Sequence, residues 1–582
     1  MPSTSPCAQR VSSCEEKDIE KEMEKKELTT DILIIGGGTA GCYAAVTAAR
    51  RSPKTRILVA EKANIQRSGC LAAGVNALNA WLGDGQTPQD YLSFVRRDAE
   101  QIIREDLVLT MAEGFHDAVT DLEKMGLVIQ KNADGSYASR GSYNIRINGE
   151  NIKPLLAKEV GRYPNITVLN HVILTDLLVT EAGRKRICGA VGLSADGSAA
   201  VAVSARAVLI ATGGAAGLYR PNNPGFSRHK MWYPPFNTGA GYAMGIRAGA
   251  EMTSFEMRFV AQRCKDTIAP TGTIALGVGA REINALGEIF EEEYGLTTSG
   301  RAHGVTSENR QGRGPCFLRT KGISKQQEED LLRAYLNMAP SQTLHWIESG
   351  EMPSVCNVEV EGTEPYIVGG HTGSGFWVDK GRRTTLRGLY AAGDVAGGAP
   401  KKFVPGALAE GKIAALSMLD DLPGLQQVPG ESVQEQVQAF FADCESRIRP
   451  DSAIEAGGND LFALEEAMQK VMDEYAGGIR TGYQYSTVRL GLAGARILEL
   501  RSMAGALTVS SAEDLYRIYE LLDRLDVCRT LIAHLQARRE TRWPGFGIHT
   551  DYPIRNDQYA LFINSVLLDG EIRMLFRPLD SR

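Results

Sequence analysis

The chain has 582 residues, of which 43% are apolar and 23% are charged, with 62 glycines and a formal net charge of −6. This composition excludes a wholly disordered chain, a collagen-like repeat and a small disulfide-stapled scaffold. The 64 basic residues against 70 acidic ones give no large positive field, so nucleic acid is not expected as a partner.

The first 30 residues are polar and highly charged, and they lack the apolar segment of a signal peptide. We interpret residues 1–28 as a charged, solvated extension, with a frayed helix as the alternative. No apolar run reaches the roughly 18 residues of a membrane-spanning helix, so no span is predicted. The cysteines form no CxxC pair and no cluster with zinc or iron–sulfur spacing, so no metal site is predicted. Together these features favour a reduced, cytoplasmic protein.

A strand, a glycine-rich turn and a helix open the folded part of the chain. Residues 31–35 are a β-branched run typical of a buried parallel strand, residues 36–41 match GxGxxG, and a helix is expected over 42–50. A second apolar run, 57–60, ends at Glu61, which can accept hydrogen bonds from ribose hydroxyls. This pattern predicts dinucleotide binding. The cofactor contacts predicted here are Gly36, Gly38, Thr39, Ala40, Gly41, Glu61 and Lys62.

Two later segments select FAD over NAD. Residues 207–214 are another buried strand ending in a glycine pair, and residues 388–397 form a third strand that places Asp394 at its end. One nucleotide-binding unit divided between distant parts of the chain is the layout of two-domain FAD oxidoreductases. The cofactor contacts predicted in these segments are Ala211, Thr212, Gly213, Gly393 and Asp394, and Gly406, beyond the second segment, is predicted as a further contact.

The predicted fold class is α/β. A Rossmann-like FAD-binding domain spans residues 29–236 and 375–425, with an inserted α+β capping domain at 237–374. A C-terminal helical domain covers 426–582, because apolar residues recur at helical spacing over 461–475, 488–502 and 512–537.

Three further motifs carry a family resemblance. The sequences RSG at 67–69, GLYAAGDVAG at 388–397 and RETRWPG at 539–545 resemble the succinate dehydrogenase/fumarate reductase flavoprotein family. Within that family the likeness is greatest to the α subunits of adenylylsulfate (APS) reductases. The segments NGENIKP at 148–154, FEMRF at 255–259 and EPYIVGGH at 364–371 carry this closer match.

The resemblance implies FAD-dependent reduction of APS to AMP and sulfite through a flavin N5–sulfite adduct, with electrons from a ferredoxin-like iron–sulfur β subunit. Ser68 and Gly69 are then cofactor contacts. Gly69 stands where respiratory succinate dehydrogenases carry the histidine that bonds to FAD, so FAD is expected to be held non-covalently.

The same resemblance implies a set of substrate-site residues. Asn79, Arg263, Arg301 and His371 match residues around the sulfate and phosphate groups, Trp232 matches a residue flanking the isoalloxazine, Phe403 an aromatic wall near the adenylate, and Glu150 an active-site acid. Arginine suits tetrahedral oxyanions because its guanidinium is always charged and forked. A histidine there can donate a hydrogen bond, or add positive charge as imidazolium.

Each of these residues also has a plain structural interpretation. The arginines can be ion-pair partners, the histidine a satisfied structural group, the aromatic residues core side chains, and Glu150 the cap of a helix starting near Asn151.

Two other functions compete with APS reduction. Residues 279–282, GARE, resemble the motif where fumarate reductases keep a proton-delivering arginine. Against this, those enzymes bind a substrate carboxylate with an arginine in the loop after the late GD motif, and residues 398–406 contain none, although Lys401 or Lys402 can substitute in part. The third possibility is a non-catalytic flavin scaffold that relays electrons.

Overall fold

The computed structural model describes residues 23–83, 85–141, 143–149, 151–180, 185–428, 431, 433–449 and 460–580. Its strands are β1 (Glu24–Ile35), β2 (Ile57–Glu61), β3 (Ala77–Asn79), β4 (Val128–Ile129), β5 (Ser139–Arg140), β6 (Asn144–Asn148), β7 (Ile166–Asn170), β8 (Val172–Thr180), β9 (Arg186–Ser194), β10 (Ala199–Ile210), β11 (Met252–Thr253), β12 (Gln262–Cys264), β13 (Glu282–Ile283), β14 (Cys316–Leu318), β15 (Val358–Gly362), β16 (Gly375–Phe376), β17 (Leu389–Ala391), β18 (Gln484–Tyr485), β19 (Ile548–His549), β20 (Leu561–Leu568) and β21 (Glu571–Pro578).

Helices cover most of the remaining described chain. They are α1 (Thr39–Arg51), α2 (Pro88–Asp98), α3 (Glu105–Glu113), α4 (Phe115–Met125), α5 (Ile152–Val160), α6 (Ala240–Ala248), α7 (Gly272–Gly277), α8 (Glu291–Tyr294), α9 (Thr298–Arg310), α10 (Lys325–Met338), α11 (Pro340–Ser349), α12 (Phe403–Asp421), α13 (Gln434–Arg447), α14 (Leu461–Tyr475), α15 (Thr487–Gly505) and α16 (Leu515–Ala537). Among the described residues, none of these helices is both long and apolar enough to cross a bilayer.

A seven-stranded sheet organises the FAD-binding part. Its order is β7-β2-β1-β10-β9-β8, with β17 also paired to β10. Strands β7, β2, β1, β10 and β17 are parallel to their neighbours in this series, whereas β9 and β8 are antiparallel. The carboxyl ends of β1, β2, β10 and β17 therefore meet at one edge, where open α/β sheets bind ligands. The predicted cofactor residues follow these four strands.

The first strand is longer than the sequence predicts. β1 begins at Glu24, and its polar first half pairs in register with β10, from Glu24 opposite Ala199 to Leu28 opposite Val203. The predicted boundary of the extension at residue 28 is wrong for residues 24–28, because backbone pairing to a 12-residue neighbour extends a strand beyond its apolar core. Residues 1–22, the rest of the predicted extension, lie outside the described residues.

The capping region has a sheet and a core of its own. Strands β12 to β15 form a four-stranded antiparallel sheet in the order β12-β15-β14-β13, and all four lie within the predicted 237–374 insertion. A separate cluster of buried apolar side chains, including Phe290, Tyr335 and Trp346, packs beneath it. Helix α9 packs against this sheet, where the Cys316 thiol donates weakly to the Val305 carbonyl of the helix.

The C-terminal part is helical up to α16, as the apolar spacing predicts, but it does not end so. β20 and β21 form a hairpin that pairs through β11 with β16. Asp569 and Gly570 make its two-residue turn, both at positive φ (51° and 78°). Asp-Gly between alternating strands is a strong hairpin signal that the all-helical prediction missed.

Candidate active site

The turn after β1 requires glycine, because the backbones of this turn, of the first turn of α1 and of the end of β10 approach each other closely. Gly36 has φ +101°, and a Cβ there would lie 2.5 Å from the Ala211 oxygen at the end of β10. A Cβ on Gly41, in the first turn of α1, would lie 1.9 Å from the Gly36 oxygen. Gly38 differs, because a Cβ there would meet only the Ala211 oxygen, at 3.9 Å. Gly38 therefore borders open space rather than protein.

The residues around that space fit FAD. Gly69, at φ +68°, faces Gly38, with only 3.8 Å between a Cβ on Gly69 and the Gly38 Cα. The hydroxyl oxygens of Ser68 and Thr212 are buried and have no hydrogen-bond partner among the described residues. A buried hydroxyl without a partner costs free energy unless a ligand satisfies it. A nucleotide with phosphate and ribityl oxygens supplies such partners, beside the unpaired N–H groups at the start of α1.

Two buried charged side chains hold the turn in place. Glu61 accepts hydrogen bonds from the backbone N–H groups of Gly37 and Ala63, each at 2.8 Å. Lys153, fully buried on α5, donates to the Gly37 carbonyl at 2.7 Å and also contacts the Ile65 carbonyl. Lys153 is not among the predicted site residues, because nothing near it in sequence points to the turn.

Other predicted cofactor residues have protein partners of their own. Lys62 donates to the Phe236 carbonyl at 2.7 Å and forms an ion pair with Glu520. Gly406 lies inside α12, where a Cβ would sit 2.7 Å from the Met111 sulfur of α3. These contacts give Gly406 a helix-packing role.

The segment after β17 reaches the same edge of the sheet. The Gly393 N–H donates to Glu410 at 2.9 Å, and the Tyr233 hydroxyl donates to Asp394 at 2.9 Å. Burial raises the pKa of Asp394, against the lowering effect of Lys402. Gly213, at φ +77°, leaves no room for a side chain, since a Cβ would lie 2.3 Å from the Asn237 amide nitrogen. The three nucleotide-binding segments thus converge as predicted.

His371 lies among aromatic rings. Its ring centroid is 4.5 Å from that of Phe259, in a stacked arrangement, and 5.2 Å and 5.7 Å from those of Trp232 and Phe403. We call Trp232, Phe259 and Phe403 the aromatic wall. Burial and the charge of Lys401 together lower the pKa of His371 to about 3, against the opposing effect of Asp98. The imidazole is therefore neutral near pH 7, which favours the first of the two predicted roles, hydrogen-bond donation, over an added positive charge.

An ion pair next to His371 joins the FAD-binding part to the cap. Lys401 lies 2.7 Å from a carboxylate oxygen of Asp98 and donates to the Thr298 hydroxyl at 2.8 Å. The Thr298 N–H, at the start of α9, donates to Asp98 at 3.0 Å. This bridge fixes the first turn of α9, and therefore Arg301, at the interface between the two parts.

Arg301 has unused hydrogen-bonding capacity. No hydrogen bond or ion pair joins its guanidinium to a described residue, and its Nε is buried without a partner. Its charge opposes the rise in the pKa of Tyr143 and of Glu282, both of which are raised mainly by burial. A half-buried cation with free donors is suited to bind an anion.

A pair of asparagines lies next to Tyr143. Asn79 on β3 and Asn144 on β6 are opposite each other, and the Asn79 amide donates to the Asn144 oxygen at 2.8 Å. The Asn144 amide nitrogen is buried and has no partner within the described chain. Of this pair, only Asn79 is predicted from the sequence as a substrate-site residue, because the strand register that pairs it with Asn144 is not visible in the sequence.

Arg263 is placed differently from the other predicted site residues. It is 2% exposed, its guanidinium lies 2.6 Å from Glu361, and it donates to the carbonyls of Asn222 and Thr267. These partners engage its charge within and beside the cap sheet. Glu150 lies outside the described residues, and α5 begins two residues after it, at Ile152.

The fold and this site define a flavoprotein of the dinucleotide-binding class. Residues 31–407 match the family model described as FAD binding domain, so the chain belongs to this family, and FAD is its cofactor. It is 28% identical to the alpha subunit of adenylylsulfate reductase from Megalodesulfovibrio gigas, over 93% of each chain. The resemblance found in the sequence is thereby confirmed.

Solved structures agree with this assignment. The structure of adenylylsulfate reductase from Archaeoglobus fulgidus matches with a TM-score of 0.89 and 32% identity, covering 96% of this chain and 97% of that one. A structure of adenosine-5-phosphosulfate reductase with sulfite, described as a covalent adduct, matches equally well. A quinol fumarate reductase of E. coli, at 18% identity and a TM-score of 0.80, shares the fold.

Proposed function

We propose that this chain is the flavoprotein subunit of an adenylylsulfate reductase, reducing APS to AMP and sulfite. The observation that carries the proposal is the unpaired guanidinium of Arg301, held at the same interface as the neutral His371. The names of the relatives at 28% and 32% identity support the same substrate.

The site's residues suit the charge of this substrate. APS carries negative charge on both sulfate and phosphate, and Arg301 can fork two donors onto such oxygens. Lys401 is not free for this role, because Asp98 and Thr298 already engage its ammonium. A neutral His371 can donate a hydrogen bond without adding a second formal charge to the site. The aromatic wall around His371 excludes water from that side of the site.

The overall reaction needs an electron pair and no metal-bound nucleophile. The bond between sulfur and the bridging oxygen breaks, sulfur gains two electrons, and AMP leaves with that oxygen. FAD, when bound, supplies the electron pair. Arg301 and the amide nitrogen of Asn144 would stabilise the charge that develops on the departing phosphate, the kind of contribution that lowers such barriers most.

Fumarate reductase-type chemistry is the second candidate. It is favoured by a relative at 26% identity, a subunit of the fumarate reductase (CoM/CoB) of Methanothermobacter marburgensis, which aligns with 65% of this chain. The contacts of Arg281 oppose it, because this arginine of the GARE motif forms ion pairs with Glu291 and Glu292 on α8. An arginine so engaged is poorly placed to deliver a proton to a substrate.

We also propose a partner that supplies the electrons: a small, ferredoxin-like iron–sulfur subunit. The relative from Megalodesulfovibrio gigas is itself one subunit of its enzyme, and the sequence of this chain has no cluster-binding motif. The test is purification of the chain from its native host. Copurification of a brown, cluster-bearing polypeptide would support this partner. A cytoplasmic location stays a prediction.

One assay separates the candidates. Purified protein loaded with FAD is reduced by an artificial donor and mixed with APS or with fumarate, side by side. The proposal expects oxidation of the donor and release of AMP with APS, and no turnover with fumarate. Turnover of fumarate alone would overturn the proposal, and turnover of neither, with sulfite leaving the flavin spectrum unchanged, would favour the non-catalytic relay.

A further inference from the structure

Three polar atoms of the cap are buried without partners around one location. They are Oε2 of Glu282, Nε of Arg301 and Nε2 of Gln262, and none has a hydrogen bond of good geometry to the residues that the structure describes. Gln262 and Arg301 are both close enough to Glu282 to lower the pKa of its carboxyl, the first by hydrogen bonding and the second by its charge. Two of them are donors, and the third belongs to a carboxyl group that becomes a donor when protonated. Leaving three such groups unsatisfied is costly unless a ligand bonds to them.

Strand register places two of these side chains on one face of the cap sheet. Gln262 is opposite Gly362 on β15, and Glu282 is opposite Leu318 on β14, which is opposite Val358 on β15. Because side chains alternate along a strand, the partners of 358 and 362 share a face. Cys316, whose side chain is on this face, contacts α9. Arg301, on the first turns of α9, faces the same carboxyl group.

Glu282 is unusual among the carboxyl groups of the cap. It is 1% exposed and has no ion-pair partner at bonding distance in the described chain. Burial raises its pKa to about 7, although Arg301 and the Gln262 amide oppose the rise. The charged or titratable groups that interact with it are Arg301 from α9 and the Cys316 thiol from β14. A carboxyl in this environment changes its protonation near neutral pH.

We propose that Glu282, Gln262 and Arg301 form one subsite for a tetrahedral oxyanion of the substrate, and that Glu282 binds it only as the neutral acid. The inference rests on the proposed function, because it takes the sulfate or phosphate of a sulfonucleotide as the ligand. Neutral Glu282 donates its O–H to an anion oxygen beside the donors of Arg301 and Gln262. Ionised Glu282 presents a negative charge to the same oxygen and pairs with Arg301 instead.

The sign of the pH dependence follows from this arrangement. Below pH 7 the carboxyl is already protonated and affinity is constant, whereas above pH 7 each bound anion must bring a proton with it. Affinity then falls about tenfold per pH unit, the slope for uptake of one proton. Neither acidic group of APS titrates in this range, so the protein alone sets the profile.

The test is calorimetric titration of the oxidised, FAD-loaded protein with APS, at pH 7 in two buffers of different ionisation enthalpy. The wild type should take up about half a proton per APS bound, since half of the carboxyl groups are ionised at their pKa. Glu282→Gln should bind APS with almost no proton uptake and with an affinity that is flat from pH 6 to pH 8.5. Glu359→Gln is the matched control and should behave as wild type. Glu359 lies on β15 of the same sheet, but its side chain is on the opposite face.

Two outcomes would overturn the inference. One is a wild type that binds APS without proton uptake, and the other is a Glu282→Gln variant that keeps the wild-type pH profile of affinity. If that variant fails to fold, the proton uptake of the wild type decides alone. Failure of the proposed function can be told apart from failure of this inference, because APS would then not bind at all. Inorganic sulfate, an anion that does not titrate here, then replaces APS and must show the same uptake for the subsite to stand.

Discussion

The two arginines predicted for the substrate site, Arg263 and Arg301, differ in the contacts of their guanidinium groups. Arg263 and Arg301 are equivalent candidates in sequence, yet Arg263 is engaged by Glu361 and two carbonyls, while the guanidinium of Arg301 has no partner in the described part of the chain. Breaking the contacts of Arg263 would damage the cap, whereas substitution of Arg301 breaks no hydrogen bond or ion pair of its guanidinium with a described residue. The two substitutions should therefore have different signatures.

Substitution of Arg301 by glutamine should weaken binding of the sulfonucleotide rather than the fold. A hydrogen bond to a charged group contributes about 1.5–3 kcal/mol, so KM for APS should rise about 10- to 150-fold. The value of kcat should fall as well, because Arg301 also stabilises the charge that develops on the departing phosphate. Steady-state kinetics with a reduced artificial donor measures this, and the melting temperature should stay near that of wild type. Arg310→Gln, at the far end of the same helix, is the control. An Arg301→Gln enzyme with unchanged KM would contradict the assignment.

The turn after β1 allows a sharp test of cofactor binding. Gly38 has a backbone conformation open to any residue (φ −71°, ψ −161°), and a side chain there enters the space assigned to FAD, not protein. Gly38→Val should thus fold but lose FAD, because the second glycine of the motif lets the backbone approach the pyrophosphate. We expect the ratio of flavin to protein absorbance to fall at least about tenfold.

The control for that variant is Gly491→Val. Gly491 lies in α15 and a Cβ there has no atom within 4 Å, so FAD content should not change. Yellow Gly38→Val protein with full occupancy would place the cofactor elsewhere.

At the residue scale, the sequence predicts where chemistry occurs better than it predicts protonation. The motif around His371 predicts its position, but its neutral state follows from burial among Phe259 and Trp232 and from Lys401, which lie far from it in sequence or in another loop. The role of Glu61 toward ribose hydroxyls stays a prediction, and its hydrogen bond from the Gly37 N–H follows only from the packed strands. Tertiary packing sets such properties.

Elements of this fold are joined at the site by one ion pair. Asp98 ends α2, Lys401 precedes α12, and Thr298 begins α9, so that a single carboxylate connects three helices. Burial raises the pKa of Asp98, but Lys401 and Thr298 outweigh it and hold the pKa below its ordinary value. A depressed carboxyl pKa contributes stability above the ordinary pKa of the group, and that stability is lost as pH falls through the depressed value.

Asp98→Asn should therefore destabilise the protein strongly at neutral pH and somewhat less in acid. Removing one partner of a buried ion pair costs about 3–5 kcal/mol, because the Lys401 charge remains buried. Urea unfolding at pH 7 and at pH 3.5 measures the difference, which should shrink at the lower pH. Asp117→Asn is the control, since its exposed pair with Lys412 contributes under about 1 kcal/mol. An equal loss at both pH values would contradict this account.

Elements are predicted most reliably where one periodicity extends along the chain. The three C-terminal helices agree with their apolar spacing to within a few residues at each end, except that 512–514 form a 3-10 turn before α16. The hairpin of β20 and β21 is missed although Asp569-Gly570 marks its turn. Its pairing with β11 could not be predicted, because β11 is far away in sequence. Strand pairing over long separations is not encoded in local pattern.

At the scale of the whole molecule, the cofactor would hold together segments that the chain order keeps apart. The carboxyl ends of β1, β2, β10 and β17 meet at one edge of the sheet, so the bound group would contact all three nucleotide-binding segments at once. A ligand that binds only the folded form stabilises it by about 2.7 kcal/mol at a hundred times its Kd. FAD-loaded protein is therefore expected to melt above the apoprotein.

The flavin is expected to be attached without a covalent bond at residue 69. Gly69 has no side chain to form a bond, and its left-handed backbone (φ +68°) disfavours any other residue there. All FAD contacts at this position must then be non-covalent, and unfolding should release the cofactor. Precipitation of the holoprotein with trichloroacetic acid should leave the flavin absorbance in the supernatant and a colourless pellet. A pellet that stays yellow after washing would show a covalent bond from another side chain and refute the expectation.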